Sequence, residues 1–417
     1  MSITQNFKQV DWLCNEHLQT LLHILSLHGE EARVVGGAVR NQLLGKPISD
    51  IDIATTCLPQ QIIERAKEAG FKTIPTGIDF GTVTVVAGAH FYEVTTLRSD
   101  IETDGRHAKV AFSRDWTKDA ERRDFTINAL YCDADGRLYD YVEGLSDIAS
   151  RTVRFIGIAE ERIREDYLRI LRFFRFFAWY GGGRPDAQGL KACVCLKQGL
   201  QKLSPERVWE EMKKIFCAPN PTRALLWMRQ SGILTLIFPE TEKWGIDAIH
   251  SLVKLESDLG WAIDPLLRLE SILPPDSKRL CDMACRLHFS NKEKIRLKEW
   301  AELEVIHQNC SDLSLKKLIY RCGQQPVLDQ LSLSLSAARA GSFEIGENLE
   351  KAEHYLRLYQ LAQKWQIPTF PIKGHDLIEK GFTKGVALGQ KLKELETIWI
   401  ESGFLIDRHV LLEKIEK

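Results

Sequence analysis

Two aspartates one residue apart, Asp50 and Asp52, are the side chains in this chain whose spacing most favours chemistry. They lie in Ser49-Asp50-Ile51-Asp52-Ile53, a run that reads as a strand, Ile51–Ala54. Strand side chains alternate between faces, so both acids project one way while Ile51 and Ile53 point into the core. Neighbouring carboxylates repel, and a solvated strand gains little from them. A divalent cation resolves the repulsion, and hard oxygen donors suit Mg2+. Upstream, Val34-Val35-Gly36-Gly37-Ala38-Val39-Arg40 reads as strand, glycine turn and helix. Gly36 and Gly37 let backbone come close to a phosphate, and N–H groups at the helix start point at it. Arg40 can add charge-assisted hydrogen bonds to a triphosphate. A Gly-Gly turn alone is usually only a turn, and Asp-x-Asp is common by chance. Side by side on strand edges they point to metal-assisted nucleotidyl transfer.

Three further runs stand out: Arg122-Arg123-Asp124-Phe125-Thr126-Ile127-Asn128-Ala129-Leu130, then Glu165-Asp166-Tyr167-Leu168-Arg169-Ile170-Leu171-Arg172-Phe173-Phe174-Arg175, then Leu203-Ser204-Pro205-Glu206-Arg207-Val208-Trp209-Glu210-Glu211. On a continuous helix Asp166 and Arg169, at i and i+3, sit side by side. A carboxylate offers acceptors and a guanidinium a rigid donor fork, which together can read a base edge as a complementary base would. The plain alternative is an i,i+3 salt bridge of about 0.2–0.5 kcal/mol. In the third run, Ser204 as N-cap with Pro205 at the first helical position explains the sequence as an efficient helix start, which assigns it a structural, neck-bracing role.

The segment GGAVRNQLLG…SDIDIATT resembles the head signature of polymerase-β-type nucleotidyltransferases, specifically the class II tRNA nucleotidyltransferase and poly(A) polymerase family. The later runs resemble that family's further motifs, strongly from 34 to 211 and more weakly beyond. The resemblance implies an in-line displacement in which Asp50 and Asp52 hold metal and a third carboxylate assists. Glu93, in Phe91–Thr96, is the candidate, with a surface glutamate on an edge strand as the alternative. It further implies Arg123 on the nucleotide, Asp124 and Asn128 holding local backbone, and Asp166 with Arg169 selecting CTP and ATP without a template. Arg172 and Arg175, further along the same helix, join the nucleotide set. Asp140, Gly144, Asp147 and Arg151 match the family's head–neck hinge and are read as structural. The polar segment Arg98–Lys109 reads as a mobile loop, which in the resembling enzymes serves the final adenosine. Where the family often has proline after His107, this chain has Ala108. Near the end, His375-Asp376 lacks companion histidines at helical spacing, so a phosphohydrolase domain is rejected.

These residues need an α/β head and a helical scaffold to position them. Short β-branched runs (Arg33–Val35, Ile51–Ala54, Thr82–Val86, Phe91–Thr96, Leu138–Tyr141) alternate with helical stretches Ala38–Leu44 and Pro59–Ala69, each stopped by glycine. From about residue 160 strand patterns nearly vanish and leucine-rich amphipathic helices take over, including Asp166–Trp179, Pro205–Phe216, Thr222–Ser231, Lys292–His307 and Gly385–Ile400. The expected fold is thus an α/β catalytic head of polymerase-β type followed by a mainly α-helical neck, body and tail. The expected divisions are an N-terminal helical segment 1–30, the head 31–150, neck 151–218 with nucleotide-recognition and RNA-binding helices, body 219–300, and a tail 301–417 that contacts RNA.

The 417 residues are 44% hydrophobic, ordinary for a folded chain, and 56 basic residues meet 57 acidic ones. A polyanion must therefore be met by local patches. Between Arg151 and Ile215 there are 14 Lys/Arg against 8 Asp/Glu, and Lys292, Lys294, Arg296 and Lys298 with Lys316, Lys317 and Arg321 form a second group. Either could hold tRNA phosphates or be a solvated face. Ten scattered cysteines lack zinc spacing and read as reduced thiols in a cytoplasm, and no run is long and apolar enough for a membrane span. No oligomeric state is implied. The expected activity is addition of C, C and A to tRNA 3′ ends from CTP and ATP with Mg2+. Alternatives are a poly(A) polymerase, a partial CC- or A-adding enzyme, a catalytically dead RNA-binding protein, or a small-molecule nucleotidyltransferase.

Overall fold

The computed structural model describes residues 7–104, 107–341 and 346–414, without the side chains of 99–110 and 346–347. The chain divides into two compact units, Met1–Ile233 and Leu234–Lys417. In the first, Asn15 opens helix α1 (Glu16–Leu25) by accepting the Leu18 N–H at 3.2 Å. Strand β1 (Ala32–Val35) runs through the Gly-Gly turn into α2 (Gly37–Leu43), and β2 (Ile51–Thr55) into α3 (Pro59–Glu68). Strands β3 (Lys72–Gly77), β4 (Thr82–Ala87) and β5 (His90–Thr96) follow as a meander. A two-stranded ribbon, β6 (Arg98–Asp104) and β7 (His107–Phe112), comes next, then α4 (Trp116–Glu121), β8 (Leu130–Cys132) and β9 (Leu138–Asp140).

Seven strands form one mixed sheet in the order β3-β4-β5-β2-β1-β8-β9. α3 packs on β3, β4 and β5, and α1 on β1 and α3. Ile53 and Val94 are fully buried, and alternation sends Asp52 and Glu93 to the other face.

The remaining helices of this unit are α5 (Gly144–Ser150), α6 (Ala159–Glu165), α7 (Leu168–Tyr180), α8 (Ala187–Leu196), α9 (Pro205–Phe216) and Thr222–Gln230. Phe173, Phe174, Phe176 and Phe177 are buried, so the aromatic run of α7 is chiefly core. Gly144 is required by close approach: a Cβ there would lie 2.4 Å from the Thr126 carbonyl oxygen. Asp140 accepts the backbone N–H groups of Val142, Gly144 and Leu145 at 2.9–3.1 Å, the turn-holding role expected of the hinge run. Ser204 occupies the N-cap of α9 with Pro205 inside the helix, but its hydroxyl makes no capping bond.

Several expectations change. The segment read as a mobile loop is backbone-paired as the β6–β7 ribbon, and in the sequence Ile101 and Thr103, then Val110 and Phe112, fall at alternate positions as strand formers do. The side chains of His107 and Ala108 lie outside the described residues. β3 and β8 were not read: one carries Pro75, and the other is only three residues long.

The second unit is helical. Helix Gln324–Gly341 packs against Gly346–Lys364 over Leu303, Ile306, Leu315, Ile319, Val327 and Leu358, and a second cluster gathers around Leu395 and Trp399. Arg296, placed above in a basic surface group, turns inward to Asp329 (2.7 and 2.8 Å) and Asp264 (2.6 Å). Beside it, Glu270 is 1% exposed with neither carboxyl oxygen hydrogen-bonded and Arg296 4.0 Å away, and burial together with Asp329 pushes its pKa well above the usual carboxylate range. Lys317 and Arg321 pair with Glu401 at 2.5 and 3.1 Å. His375, Asp376 and Glu379 cluster, but Asp376 is already committed to the Lys373 N–H at 2.7 Å and to Arg408 at 2.8 Å. No helix among the described residues is long and apolar enough to cross a membrane.

Candidate active site

Register explains how residues far apart in the chain meet. β1 and β2 are antiparallel with Val35 opposite Asp52, so the turn leaving β1 lies beside the entry of β2. β2 and β5 are parallel with Asp52 opposite Glu93, which places those two carboxylates on one face of adjacent strands. β5 lies between β4 and β2, so Glu93 is not on an edge strand, although its side chain is exposed. Asp50 stands one residue before β2, is exposed, and accepts the Ser49 hydroxyl at 2.9 Å.

Burial and the neighbouring Glu93 carboxylate push the Asp52 carboxyl up to about 6, with Asp50 adding to the rise and Arg123 opposing it. Asp52 keeps solvent access by area although protein atoms crowd it on the cleft side. The proton affinity that Glu93 and Asp50 raise at Asp52 is what a divalent cation would relieve, and hard carboxylate oxygens suit such an ion chemically. Asp50, Asp52 and Glu93 are the residues that would hold it.

A cleft of about 490 Å3 opens from Asp52. One end is the glycine turn with Arg40, Arg123, Asp124 and Asn128, and the other is Asp166, Leu168, Arg169, Arg172, Phe176 and Arg207. Gly36 holds φ 74°, ψ −112°, a conformation that side-chain-bearing residues rarely adopt, and this backbone shape is what calls for glycine at the turn. Five arginines and three aspartates line the cleft, a positive surplus suited to a triphosphate.

Each arginine is tied down from behind. Arg40 is 7% exposed and donates to Asn128, to Asn41 (3.0 and 3.2 Å) and to the Tyr180 hydroxyl (2.8 Å). Arg123 donates to Asp119 (3.1 and 3.3 Å) and to the Tyr131 hydroxyl (3.2 Å). Arg172 donates to Asp124 at 2.8 and 2.5 Å. Asp124 also accepts the Phe125 N–H (2.9 Å) and the Asn128 amide (3.0 Å), so Asp124 and Asn128 organise side chains more than the local backbone assigned to them above. Arg175 does not line the cleft; its guanidinium reaches Glu211 at 3.2 Å and lies over Phe176.

The proposed base-reading pair is arranged differently from the expected helix face. The helix does not begin at Asp166: α6 ends at Glu165, Asp166 is extended (φ −153°, ψ 109°), and α7 begins at Leu168. The side chains of Asp166 and Arg169 therefore do not pair, and the two residues meet only through the Arg169 N–H, which donates to the Asp166 carbonyl at 3.0 Å. Asp166 accepts the Leu168 N–H at 3.1 Å and Arg207 at 2.7 Å, while Arg169 donates to Glu165 and to the Arg162 carbonyl (2.7 Å). Arg207, read above as part of a helix start, is the cleft residue the sequence reading missed. Its position offered a clue: an arginine in a first helical turn is disfavoured by the helix dipole and calls for another partner.

Two family models match this chain, the Poly A polymerase head domain over residues 32–154 and the probable RNA and SrmB-binding site of polymerase A over 185–244. The chain is 34% identical to the mitochondrial CCA tRNA nucleotidyltransferase 1 of Mus musculus, covering 97% of this chain and 91% of that protein. It is 32% identical to the CCA-adding enzyme of Streptococcus uberis over 89% of each. The crystal structure of the Bacillus stearothermophilus CCA-adding enzyme in complex with CTP superposes with a TM-score of 0.66 at 27% identity, covering 93% of this chain and 92% of that one. A mixed sheet whose glycine turn faces a carboxylate set, followed by a mainly helical remainder, is a nucleotidyltransferase of polymerase-β type. Within that class, the chain belongs to the CCA tRNA nucleotidyltransferase family, the CCA-adding enzymes.

Proposed function

We propose that this enzyme adds C, C and A in turn to the 3′ end of tRNA, using CTP and ATP without a template and releasing pyrophosphate. The observation that carries this reading is one cleft that joins a glycine turn, Asp52 of the carboxylate set, and the aspartate and arginine assigned to the base. The RNA 3′-hydroxyl oxygen bonds to the α-phosphorus as the bond to the β-phosphate oxygen breaks and pyrophosphate leaves. Gly36, Gly37, Arg40, Arg123 and Arg172 are assigned to hold the triphosphate and fix its direction. Asp166 and Arg169 are assigned to the base. Cytosine and adenine share an exocyclic amine that a carboxylate can accept, where uracil and guanine present a carbonyl oxygen. Such an arrangement supports CTP and ATP over UTP and GTP.

A nucleotidyltransferase of this family implies a divalent metal, and we take it to be Mg2+ on Asp50 and Asp52 with Glu93 assisting. When bound, the ion supplies Lewis-acid activation of the hydroxyl and charge neutralisation on the phosphates. All ten cysteines are unpaired, which suits a reducing compartment, and we read that compartment as the cytoplasm.

Incubating the chain with Mg2+, tRNA ending before CCA, and triphosphates singly or together tests the assignment. CTP alone should extend the RNA by two residues, and CTP with ATP by three, followed by arrest; UTP and GTP should add nothing. Unlimited growth with ATP alone would instead make it a poly(A) polymerase.

A further inference from the structure

Arg169 is held by Glu165 at helical spacing, but Asp166 is held by Arg207, a partner 41 positions away that local spacing does not point out. Resting on the reading of Asp166 as the base acceptor, we propose that Arg207 is a positioning residue for nucleotide choice. It fixes the direction in which Asp166 presents its lone pairs and prevents Asp166 from pairing with Arg169.

The backbone of Asp166 is already immobilised. The break between α6 and α7 is locked because Tyr167 packs on Gly199 so tightly that a Cβ there would sit 1.9 Å from the ring. What remains free is the carboxyl group. Its Oδ1 is taken by the Leu168 N–H at 3.1 Å and its Oδ2 by Arg207 Nη2 at 2.7 Å. Two of roughly four acceptor directions are used, and the others then have a fixed aim. Both partners are largely enclosed, with side chains 18% and 19% exposed, so solvent does little to loosen the pair.

The other cleft arginines on α7 are committed elsewhere, Arg169 to Glu165 and Arg172 to Asp124. Glu165–Arg169 and Asp166–Arg207 thus form two separate ion pairs around the base-reading groups. Without Arg207, the uncompensated Asp166 carboxylate has a guanidinium three residues away in sequence. Joining it would use up both the acceptor and the donor fork meant for a base. Arg207 also lines the cleft from α9, a different helix, so base selection depends on how α9 is seated beside α7.

The test is single-nucleotide addition to tRNA ending before CCA, measured with each of the four triphosphates for wild type, R207M, R207K and D166N. R207M should lower the ratio of kcat/KM for CTP over that for UTP by at least about tenfold, the size of one lost base-edge contact. R207K keeps the charge but not the fork, and should recover part of that ratio. In the D166N background R207M should change the ratio no further. An equal loss with all four triphosphates, an unchanged ratio, or additive effects in the double variant would overturn the proposal. If R207M does not fold, the R207K ratio decides alone, and a wild-type ratio there overturns it. A wild-type protein that extends RNA with neither CTP nor ATP would instead refute the functional reading on which this rests.

Discussion

Replacing Asp52 by asparagine is expected to lower nucleotide addition by about a thousandfold while making the protein more stable at neutral pH. The rate loss follows from removing one ligand of the ion: metal assistance contributes several kcal/mol to a displacement of this kind, and about 4 kcal/mol corresponds to that factor. The stability gain follows from electrostatics. The Asp52 carboxyl is pushed up to about 6, mainly by burial and then by Glu93, so its folded pKa lies above its unfolded one. Such a group is neutral in both states below the unfolded pKa, and its penalty on the fold grows as pH rises from there through 6. At pH 7 the wild type therefore carries a repulsion that asparagine removes. Because Asp52 retains solvent access, the gain is discounted to on the order of 1 kcal/mol, a few degrees in Tm. Melting curves should show D52N above wild type at pH 7 and the two converging toward pH 4. A D52N protein of unchanged activity would remove the acid from the chemistry.

Asp124→Ala is expected to do the opposite, costing stability and nucleotide binding together. Asp124 is 9% exposed and is the acceptor for Arg172, the Asn128 amide and the Phe125 N–H. Burial alone would raise its pKa, but Arg172 and Asn128 outweigh this and hold it below the usual carboxylate range. Removing one member of a buried ion pair costs about 3–5 kcal/mol, and the partial exposure of Arg172 places this case near 3 kcal/mol. At roughly 2–4 °C per kcal/mol for a unit of this size, Tm should fall by about 6–12 °C. A lowered pKa gives stability that is present above the unfolded pKa and lost as pH falls through the folded one. The gap between wild type and D124A should therefore narrow in acid. CTP affinity, read by calorimetry, should drop with it, since Arg172 and the Asn128 that holds Arg40 both lose their anchor. A D124A protein with wild-type Tm would show that Arg172 does not depend on this carboxylate.

The sequence made legible what local spacing encodes. Gly36-Gly37 and Asp50-x-Asp52 could be placed on strand ends because alternation and glycine turns are short-range patterns, and their convergence then needed only the antiparallel pairing of β1 with β2. The strands around Val34, Ile53, Val85 and Val94 were readable for the same reason. The β6–β7 ribbon was not, since its few strand formers, Ile101, Thr103 and Val110, stand among Asp, Glu and Lys that fit a loop as well. The break at Asp166 was missed because the helical pattern continues through it. What interrupts it is Tyr167 seated on Gly199, a contact between residues 32 apart. The partners of the base-reading pair are likewise tertiary: Arg207 reaches Asp166 across 41 positions, and Arg172 reaches Asp124 across 48. Arg175 shows the converse. Helical spacing puts it in line with Arg169 and Arg172, yet the acid that holds it, Glu211, lies on α9 and draws it out of the cleft.

Soaking crystals of the wild-type chain with CTP and Mn2+, an anomalous scatterer that stands in for Mg2+, tests the carboxylate assignment directly. The expected result is an anomalous peak bound by Asp50 and Asp52, with the triphosphate against Gly36 and Gly37 and the cytosine at Asp166. A peak confined to His375, Asp376 and Glu379, or a triphosphate seated away from the glycine turn, would contradict it.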